Sequence, residues 1–160
     1  NIVDGNATGT ITDNDNIAGV GIDFLNDDVT VNEADGTLTF TVVLTGSVQG
    51  GFTLDYTTND GTALATEDYT ATSNTLTFAG TDGETHDITI PIIDDNLIET
   101  LENFVVDLSN LSTILISIID DQATGNIIDN DNDPSLGVQF DLTSIDVNED
   151  AGTVSLDVSL

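Results

Sequence analysis

Two acidic segments recur in this chain at one fixed spacing, and that spacing sets the size of the unit that folds. The segments ATGTITDNDN at residues 7–16 and ATGNIIDNDN at residues 123–132 share eight of their ten residues and lie 116 positions apart. The same shift carries Val31-Asn32-Glu33 onto Val147-Asn148-Glu149. A fixed internal period of this kind is the signature of a repeat architecture.

The repeat divides the chain into three parts. We interpret residues 1–16 as the C-terminal tail of one repeat, residues 17–131 as one complete repeat, and residues 132–160 as a linker with the first strands of the next repeat. Because both ends fall inside repeats, we expect the chain to be a segment of a longer polypeptide.

The charge of the chain is strongly one-sided. It carries 30 Asp and Glu residues and no Lys or Arg, a formal net charge of −30, yet its hydrophobic fraction of 38% is too high for a disordered acidic tail. Since no Lys or Arg side chain is available for a salt bridge, divalent metal is the natural counter-ion. The same charge excludes nucleic acid and anionic membrane surfaces as partners, because both attract basic patches. No apolar run approaches the roughly 20 residues of a membrane span, so we expect no membrane insertion by this segment.

Apolar residues alternate with polar ones along most of the chain, which indicates half-buried β-strands. In residues 37–44, for example, Leu38, Phe40, Val42 and Leu44 fall on one face. The pattern predicts strands at residues 22–31, 37–44, 51–57, 74–78, 86–93, 103–108 and 115–128, the last interrupted near Asp120. About seven strands in one repeat, with almost no helix signal, predict an all-β fold, an antiparallel β-sandwich in tandem array.

Strand order places many of the acids at one end of that sandwich. Because the chain reverses at each turn, the segments after the first, third and fifth strands and the exit from the seventh lie together. The acids in these segments are Glu33, Glu67, Asp68, Asp94, Asp95, Glu99, Glu102, Asp129 and Asp131. Turn propensity alone would spread Asp over both ends. The opposite end does carry acids, among them Asp82 and Glu84, so the bias is partial, but it favours a metal site.

Calcium is the metal that these side chains fit. It binds carboxylate, amide and backbone carbonyl oxygens, whereas zinc would need His or Cys, and the chain has one His and no Cys. Residues 129–133 have the alternating oxygens of an EF-hand loop, but Pro134 and Phe140 stand where that loop needs Gly and Glu. The ligands must therefore come from separated loops.

An ordered set of short motifs across residues 17–131 resembles the Calx-β domain. The motifs are DGTA at residues 60–63, EDY at 67–69, LTF at 76–78, IIDD at 92–95, ENF at 102–104 and GNIIDND at 125–131. The resemblance implies an immunoglobulin-like sandwich that binds several calcium ions where these loops meet. Carried over by motif position, the implied ligands are Glu33, Asp68, Asp94, Asp95, Glu99, Glu102, Asp129 and Asp131. Asn96 and Asn130 stand where exchanger domains of this family often carry a further Asp, which indicates that at least one ion site is weaker or lost.

The repeat offset extends the ligand set to the flanking repeats. Asp13 and Asp15 correspond to Asp129 and Asp131, and Glu149 corresponds to Glu33. We therefore predict that Asp13 and Asp15 bind calcium in the preceding repeat and that Glu149 does so in the next one.

From the tandem repeats and the absence of basic residues we predict a calcium-binding structural repeat of an extracellular, cell-surface or secreted protein. In this hypothesis calcium neutralises the acids at the joints and rigidifies an adhesin stalk or surface filament. Its partners would be calcium, neighbouring repeats and other copies in a filament. The alternatives are a regulatory calcium-sensor domain of a membrane transporter and a cadherin-like adhesion repeat. We expect no enzymatic activity, since a glycosidase pair would use the acids assigned here to metal.

Overall fold

The strands of residues 20–131 divide between two sheets that share one core. The computed structural model describes residues 8–9, 20–131, 139–140, 144, 146 and 148–159. The strands of the first sandwich are β1 (Gly21–Phe24), β2 (Asp28–Asn32), β3 (Thr37–Thr45), β4 (Phe52–Asp60), β5 (Ser73–Phe78), β6 (Thr85–Pro91), β7 (Glu102–Ser109), β8 (Ser117–Ile118) and β9 (Gln122–Ile128). One sheet has the order β6-β3-β1-β8, and the other has the order β2-β9-β7-β4-β5. Within the described residues, no helix is long and apolar enough to cross a membrane.

Alternation along the strands builds the core, as the sequence predicts. On β3, Leu38, Phe40, Val42 and Leu44 are all fully buried, while the threonines between them are exposed or half-buried. Their partners come from both sheets and include the stacked rings of Tyr69 and Phe104. Gly125 on β9 leaves room for the ring of Phe104, its register partner on β7, because a Cβ at residue 125 would lie 2.6 Å from that ring.

The first predicted strand is in fact two strands in different sheets. β1 pairs antiparallel with β3, whereas β2 pairs parallel with β9 across the register Asn32↔Ile128. The last predicted strand divides in the same way, into β8 and β9, near the predicted interruption at Asp120. The pairing is therefore mainly antiparallel with two parallel exceptions, because the first and last strands both run toward the acidic end.

The described part of residues 132–160 repeats the beginning of the first sandwich. β10 (Gln139–Phe140) pairs antiparallel with β11 (Val158–Ser159), Gln139 opposite Ser159. When 116 is subtracted from these residue numbers, the pairing becomes the register of β1 with β3, in which Asp23 lies opposite Val43. The 3₁₀ helices Glu33–Asp35 and Glu149–Ala151 share the offset. The two strand pairs therefore share one register, and the division of the chain into three parts stays a prediction.

Candidate metal centre

Three carboxylates from two segments that are distant in sequence meet where the parallel strands β2 and β9 end. Glu33 follows β2, Asp129 follows β9, and Asp131 lies two residues further on. Because Asn32 and Ile128 are register partners, the next residue of each strand emerges beside the other. One carboxylate oxygen from each of Glu33, Asp129 and Asp131 lies within 4.8 Å of the others.

Local hydrogen bonds hold Glu33 in this position. The 3₁₀ helix Glu33–Asp35 begins with a capping box, in which the Asn32 side chain accepts from Ala34 N–H and the Asp35 side chain accepts from Asn32 N–H. It ends at Gly36, whose φ of +72° a residue with a Cβ would adopt only at a cost. The Asn130 side chain also accepts from Ala34 N–H, at 3.0 Å, which ties the helix to the chain leaving β9.

Without a cation, the burial of this first cluster costs folding free energy. Glu33 is only 3% exposed, and the chain has no Lys or Arg to pair with it. Burial raises the pKa of Glu33 above 4.5, against the lowering effect of Asn130 N–H, and the charges of Asp129, Asp131 and Asp94 raise it further. Asp131 Oδ2 is buried and has no hydrogen-bond partner among the described residues. Since buried charged oxygens are costly unless they are paired or bind metal, this set fits a hard cation.

A second cluster lies at the same end of the sandwich. Asp68 lies on the β4–β5 connection, Glu99 on the β6–β7 loop, and Glu102 at the start of β7, with one oxygen of each within 4.8 Å of the others. Burial, the charge of Asp68, a hydrogen bond with Asp68 and the charges of Glu99 and Glu67 raise the pKa of Glu102 to about 7. Like charges therefore lie close together in this second cluster, and a bound cation would reduce the repulsion between them.

The two clusters are joined. Glu99 N–H donates to Asp129 Oδ2 at 2.9 Å, which links the β6–β7 loop to the exit of β9. Asn130 Nδ2 donates to Asp94 Oδ1 at 3.4 Å. Burial and the charges of Asp129, Asp94 and Asp95 raise the pKa of Asp131, so Asp94 and Asp95 also belong to this end.

The structure therefore brings together eight of the eleven predicted ligands at one end of the sandwich. Asp13 and Asp15 lie outside the described residues. Glu149 is exposed in its 3₁₀ helix and belongs to neither carboxylate cluster of the described residues. Sequence reasoning missed Asp60 and Tyr69, the residue that follows Asp68. The Tyr69 hydroxyl donates a hydrogen bond to Asp60 Oδ1. The only sequence signal for them was their place in the DGTA and EDY motifs.

Acids at the opposite end have a different use. Glu84 accepts hydrogen bonds from the backbone N–H groups of residues 79–81 and contacts His86 Nε2 at 3.2 Å. Burial would raise its pKa, but the bonds from Ala79 N–H, His86, Thr81 N–H and Gly80 N–H together lower it to about 2. This carboxylate therefore clamps a loop and is not placed to bind metal.

The Glu84 clamp predicts a specific loss of stability in acid. Because the folded-state pKa of about 2 lies below the ordinary 4.5, the clamp contributes fully above pH 4.5 and is lost as pH falls toward 2. In calcium-free urea denaturation, the free energy of unfolding should fall more steeply over this window in the native chain than in Glu84→Gln. Equal slopes would mean that Glu84 is not a clamp. The comparison cancels the contributions of Glu33, Glu99, Glu102 and Asp131, whose raised pKa values act in the opposite direction.

Comparison with known proteins agrees with this geometry. The family model described as the Calx-beta domain matches residues 13–131. The chain belongs to the Calx-β family. Sodium/calcium exchanger 1 of Bos taurus is 40% identical over 82 residues, which cover 50% of this chain and 8% of the exchanger. Sodium/calcium exchanger 2 of Mus musculus is 45% identical over 76 residues, 44% of this chain and 8% of the exchanger. This Calx-β chain thus spans a small part of the length of these relatives.

Solved structures confirm the fold. The crystal structure of the apo-form Calx CBD1 domain matches with a TM-score of 0.65 and 29% identity, covering 70% of this chain and 98% of that domain. The Calx CBD2 domain matches with a TM-score of 0.62 over 72% of this chain, but at 14% identity it shows likeness of fold alone. The predicted Calx-β membership and all-β sandwich are confirmed. Calx-β domains bind calcium, and both clusters offer the oxygen ligands that calcium takes, so the predicted cofactor is confirmed as well.

The predicted localisation is wrong. The relatives reported above are sodium/calcium exchangers, and not secreted or cell-surface adhesins. Composition misled the prediction, since a strongly acidic, cysteine-free chain that binds calcium suits either side of a membrane. The adhesin and filament context also finds no support among these relatives.

Proposed function

We propose that this Calx-β domain is a regulatory calcium sensor, the alternative that the sequence left open. The observation that carries the proposal is Asp131 Oδ2, a buried carboxylate oxygen with no hydrogen-bond partner among the described residues, beside the buried Glu33. Membership of a calcium-binding, regulatory family and the kinship with exchangers support it. A sensor of this kind has no catalytic task.

The residues that would hold calcium fall into two groups. Glu33, Asp129 and Asp131 form the first and Asp68, Glu99 and Glu102 the second, with Asp94 and Asp95 at the same end. Bound calcium would supply positive charge and accept carboxylate oxygens of these residues as ligands. The chain's own contribution is to bring four separate segments to one end and to hold their like charges close. Without calcium that arrangement is under repulsion, so calcium concentration controls how well the end is ordered.

The exit of the chain offers a way to transmit this change. Asp129 and Asp131 lie where β9 leaves the sandwich, and only residues 132–138 separate them from β10. At most about 3.6 Å per residue, that connector reaches roughly 25 Å. Ordering of the first cluster would therefore restrict the direction in which the following segment leaves the domain.

Calcium titration by calorimetry tests the sensor proposal. The chelator-stripped chain should bind calcium with saturation, and amide hydrogen exchange of residues 94–101 and 129–131 should slow on binding, because both segments carry clustered acids. Magnesium at equal ionic strength is the control, and it should protect less because it prefers near-ideal octahedral geometry with retained waters. No heat and no protection with calcium would overturn the proposal.

A second candidate function is the stiffening of joints between repeats. It is favoured by the 116-residue offset, which the registers of β1–β3 and β10–β11 share. The β6–β7 loop adds a surface for contact, since Leu97, Ile98 and Leu101 are 61%, 63% and 62% exposed at the end where the chain leaves. In this candidate the neighbouring repeat is the partner, and calcium must first neutralise the acids between them.

Solution scattering distinguishes the two candidates. A chain containing this repeat and the following one should be extended and stiff with calcium, and variably bent in chelator, if calcium fixes the joint. Leu97→Ser/Leu101→Ser should loosen the joint without changing calcium uptake, whereas Ile114→Ser, at an exposed site outside that loop, should not. The same flexibility in both conditions, with calcium still bound, would contradict joint stiffening and leave the sensor proposal standing.

A further inference from the structure

The loop that carries Asp68 contains a residue in an unfavourable backbone conformation. Thr66 has a φ of +80°, a region that β-branched residues rarely adopt. Such conformations persist only where the surrounding contacts over-determine them. The contacts around Thr66 therefore decide where Asp68 stands.

One carboxylate oxygen ties together the two sides of Thr66. Asp60 Oδ1, at the end of β4, accepts from Ala65 N–H at 2.9 Å and from the Tyr69 hydroxyl at 2.7 Å. Thr66 N–H donates to Tyr69 O at 2.8 Å. Residues 65–69 thus form a closed loop anchored on Asp60, and Asp68 lies inside it.

Tyr69 connects this loop to the strand that begins with Glu102. Its side chain is fully buried, and its ring stacks on Phe104 with centroids 4.4 Å apart. Phe104 lies two residues after Glu102 on β7. The loop also contacts β7 through Ala63 N–H, which donates to Asn103 O at 2.8 Å.

The same loop contacts the segment that carries the next acids. Tyr69 forms an antiparallel bridge with Ile92, and Ile93 N–H donates to Asp68 O at 2.9 Å, just before Asp94. Asp68 Oδ2 itself accepts from Leu64 N–H at 2.6 Å. Tyr69 therefore follows the ligand Asp68 directly, contacts the β6–β7 connection through its backbone, and contacts β7 through its buried ring.

We propose that the hydrogen bond from the Tyr69 hydroxyl to Asp60 is a positioning device that sets the calcium affinity of the Asp68–Glu99–Glu102 cluster. The proposal rests on the proposed calcium binding. Neither Asp60 nor Tyr69 belongs to a carboxylate cluster of the described residues. The bond acts by fixing the backbone around Asp68 before calcium arrives, which reduces the ordering that binding must accomplish. The Glu33–Asp129–Asp131 cluster is built from other segments and serves as an internal reference.

Single-atom changes test the device. Tyr69→Phe keeps the ring stacked on Phe104 and removes only the hydroxyl. In calorimetric titration of the whole chain it should weaken calcium binding at the second cluster by about tenfold, the lower end of what loss of an outer-shell partner costs a metal site. Affinity at the first cluster should stay unchanged. Background variants Glu102→Gln and Asp131→Asn, each disabling one cluster, assign the two affinities.

Asp60 supplies the matched pair. Asp60→Asn keeps an oxygen that can accept both hydrogen bonds and should retain near-native affinity, whereas Asp60→Ala should weaken the second cluster as Tyr69→Phe does. The double variant Tyr69→Phe/Asp60→Ala should be no weaker than Asp60→Ala alone, because Asp60→Ala already removes the bond from the Tyr69 hydroxyl together with the bond from Ala65 N–H. Tyr56→Phe, elsewhere in the core, controls for general loss of packing and should change neither affinity.

The outcomes separate this inference from the function beneath it. A native chain that takes up no calcium would overturn the sensor proposal itself. If both clusters bind calcium and Tyr69→Phe leaves both affinities unchanged, or weakens both equally, the hydrogen bond serves only the fold. Should Tyr69→Phe fail to fold, equal affinities of Asp60→Asn and Asp60→Ala at the second cluster would overturn the inference in the same way.

Discussion

Removing calcium should lower the melting temperature of this domain by about 10 °C or more. A ligand that binds only the folded state adds about 1.4 kcal/mol per site at tenfold excess over its Kd, and two clusters would each contribute. For a domain of this size, about 1 kcal/mol moves the melting temperature by roughly 4–8 °C. Calcium should have this effect because the acidic end holds Glu33 buried in a chain that has no Lys or Arg to pair with it.

Calorimetric melting is the measurement. The chain is melted with excess calcium, with chelator, and with chelator plus enough monovalent salt to match the ionic strength. Salt should recover only part of the loss, because screening acts on exposed charges much more than on buried ones. A melting temperature that chelator leaves unchanged would contradict calcium binding at this end and, with it, the sensor proposal.

The grouping of the acids could be predicted because it follows from chain reversal alone. Once the alternation gives the strands, their order decides which loops share an end, and Glu33, Asp68, Glu102 and Asp129 fall together whatever the side-chain packing. The partition into two clusters could not be predicted in this way. It depends on the parallel register of Asn32 with Ile128, which arises only because the first strand divides between the sheets.

Other features of the site depend on side-chain packing, which a sequence pattern does not predict. The buried oxygen of Asp131 and the hydrogen bond between Tyr69 and Asp60 are products of loop closure over a core. Tyr69 in particular has no periodic signal, since it lies between β4 and β5 on an irregular connection. Localisation failed for a different reason, because the physical chemistry of calcium and carboxylates is the same in both compartments.

Glu102→Gln should change stability in opposite directions with and without calcium. In the calcium-free chain, burial and the neighbouring charge of Asp68 raise the pKa of Glu102 to about 7, so its ionised form is disfavoured in the folded state at higher pH. Because the folded-state pKa lies above the ordinary 4.5, the folded chain binds more protons than the unfolded chain between these pH values. The free energy of unfolding therefore falls as pH rises from 4.5 through about 7. Replacing the acid with a neutral amide should therefore raise the calcium-free melting temperature at pH 8.

With calcium, the same change should weaken the domain relative to the native chain. Loss of one carboxylate from the second cluster should reduce calcium affinity there by about tenfold or more, since ligand charge is one of the variables that spread calcium Kd values over about six orders of magnitude. Asp121→Asn is the matched control, because Asp121 is exposed on the connection between β8 and β9 and belongs to neither cluster. It removes the same charge and should alter both melting temperatures only slightly. Parallel shifts of the two variants in both conditions would mean that net charge, rather than a placed ligand, governs the response, and the assignment of Glu102 to a calcium site would have to be abandoned.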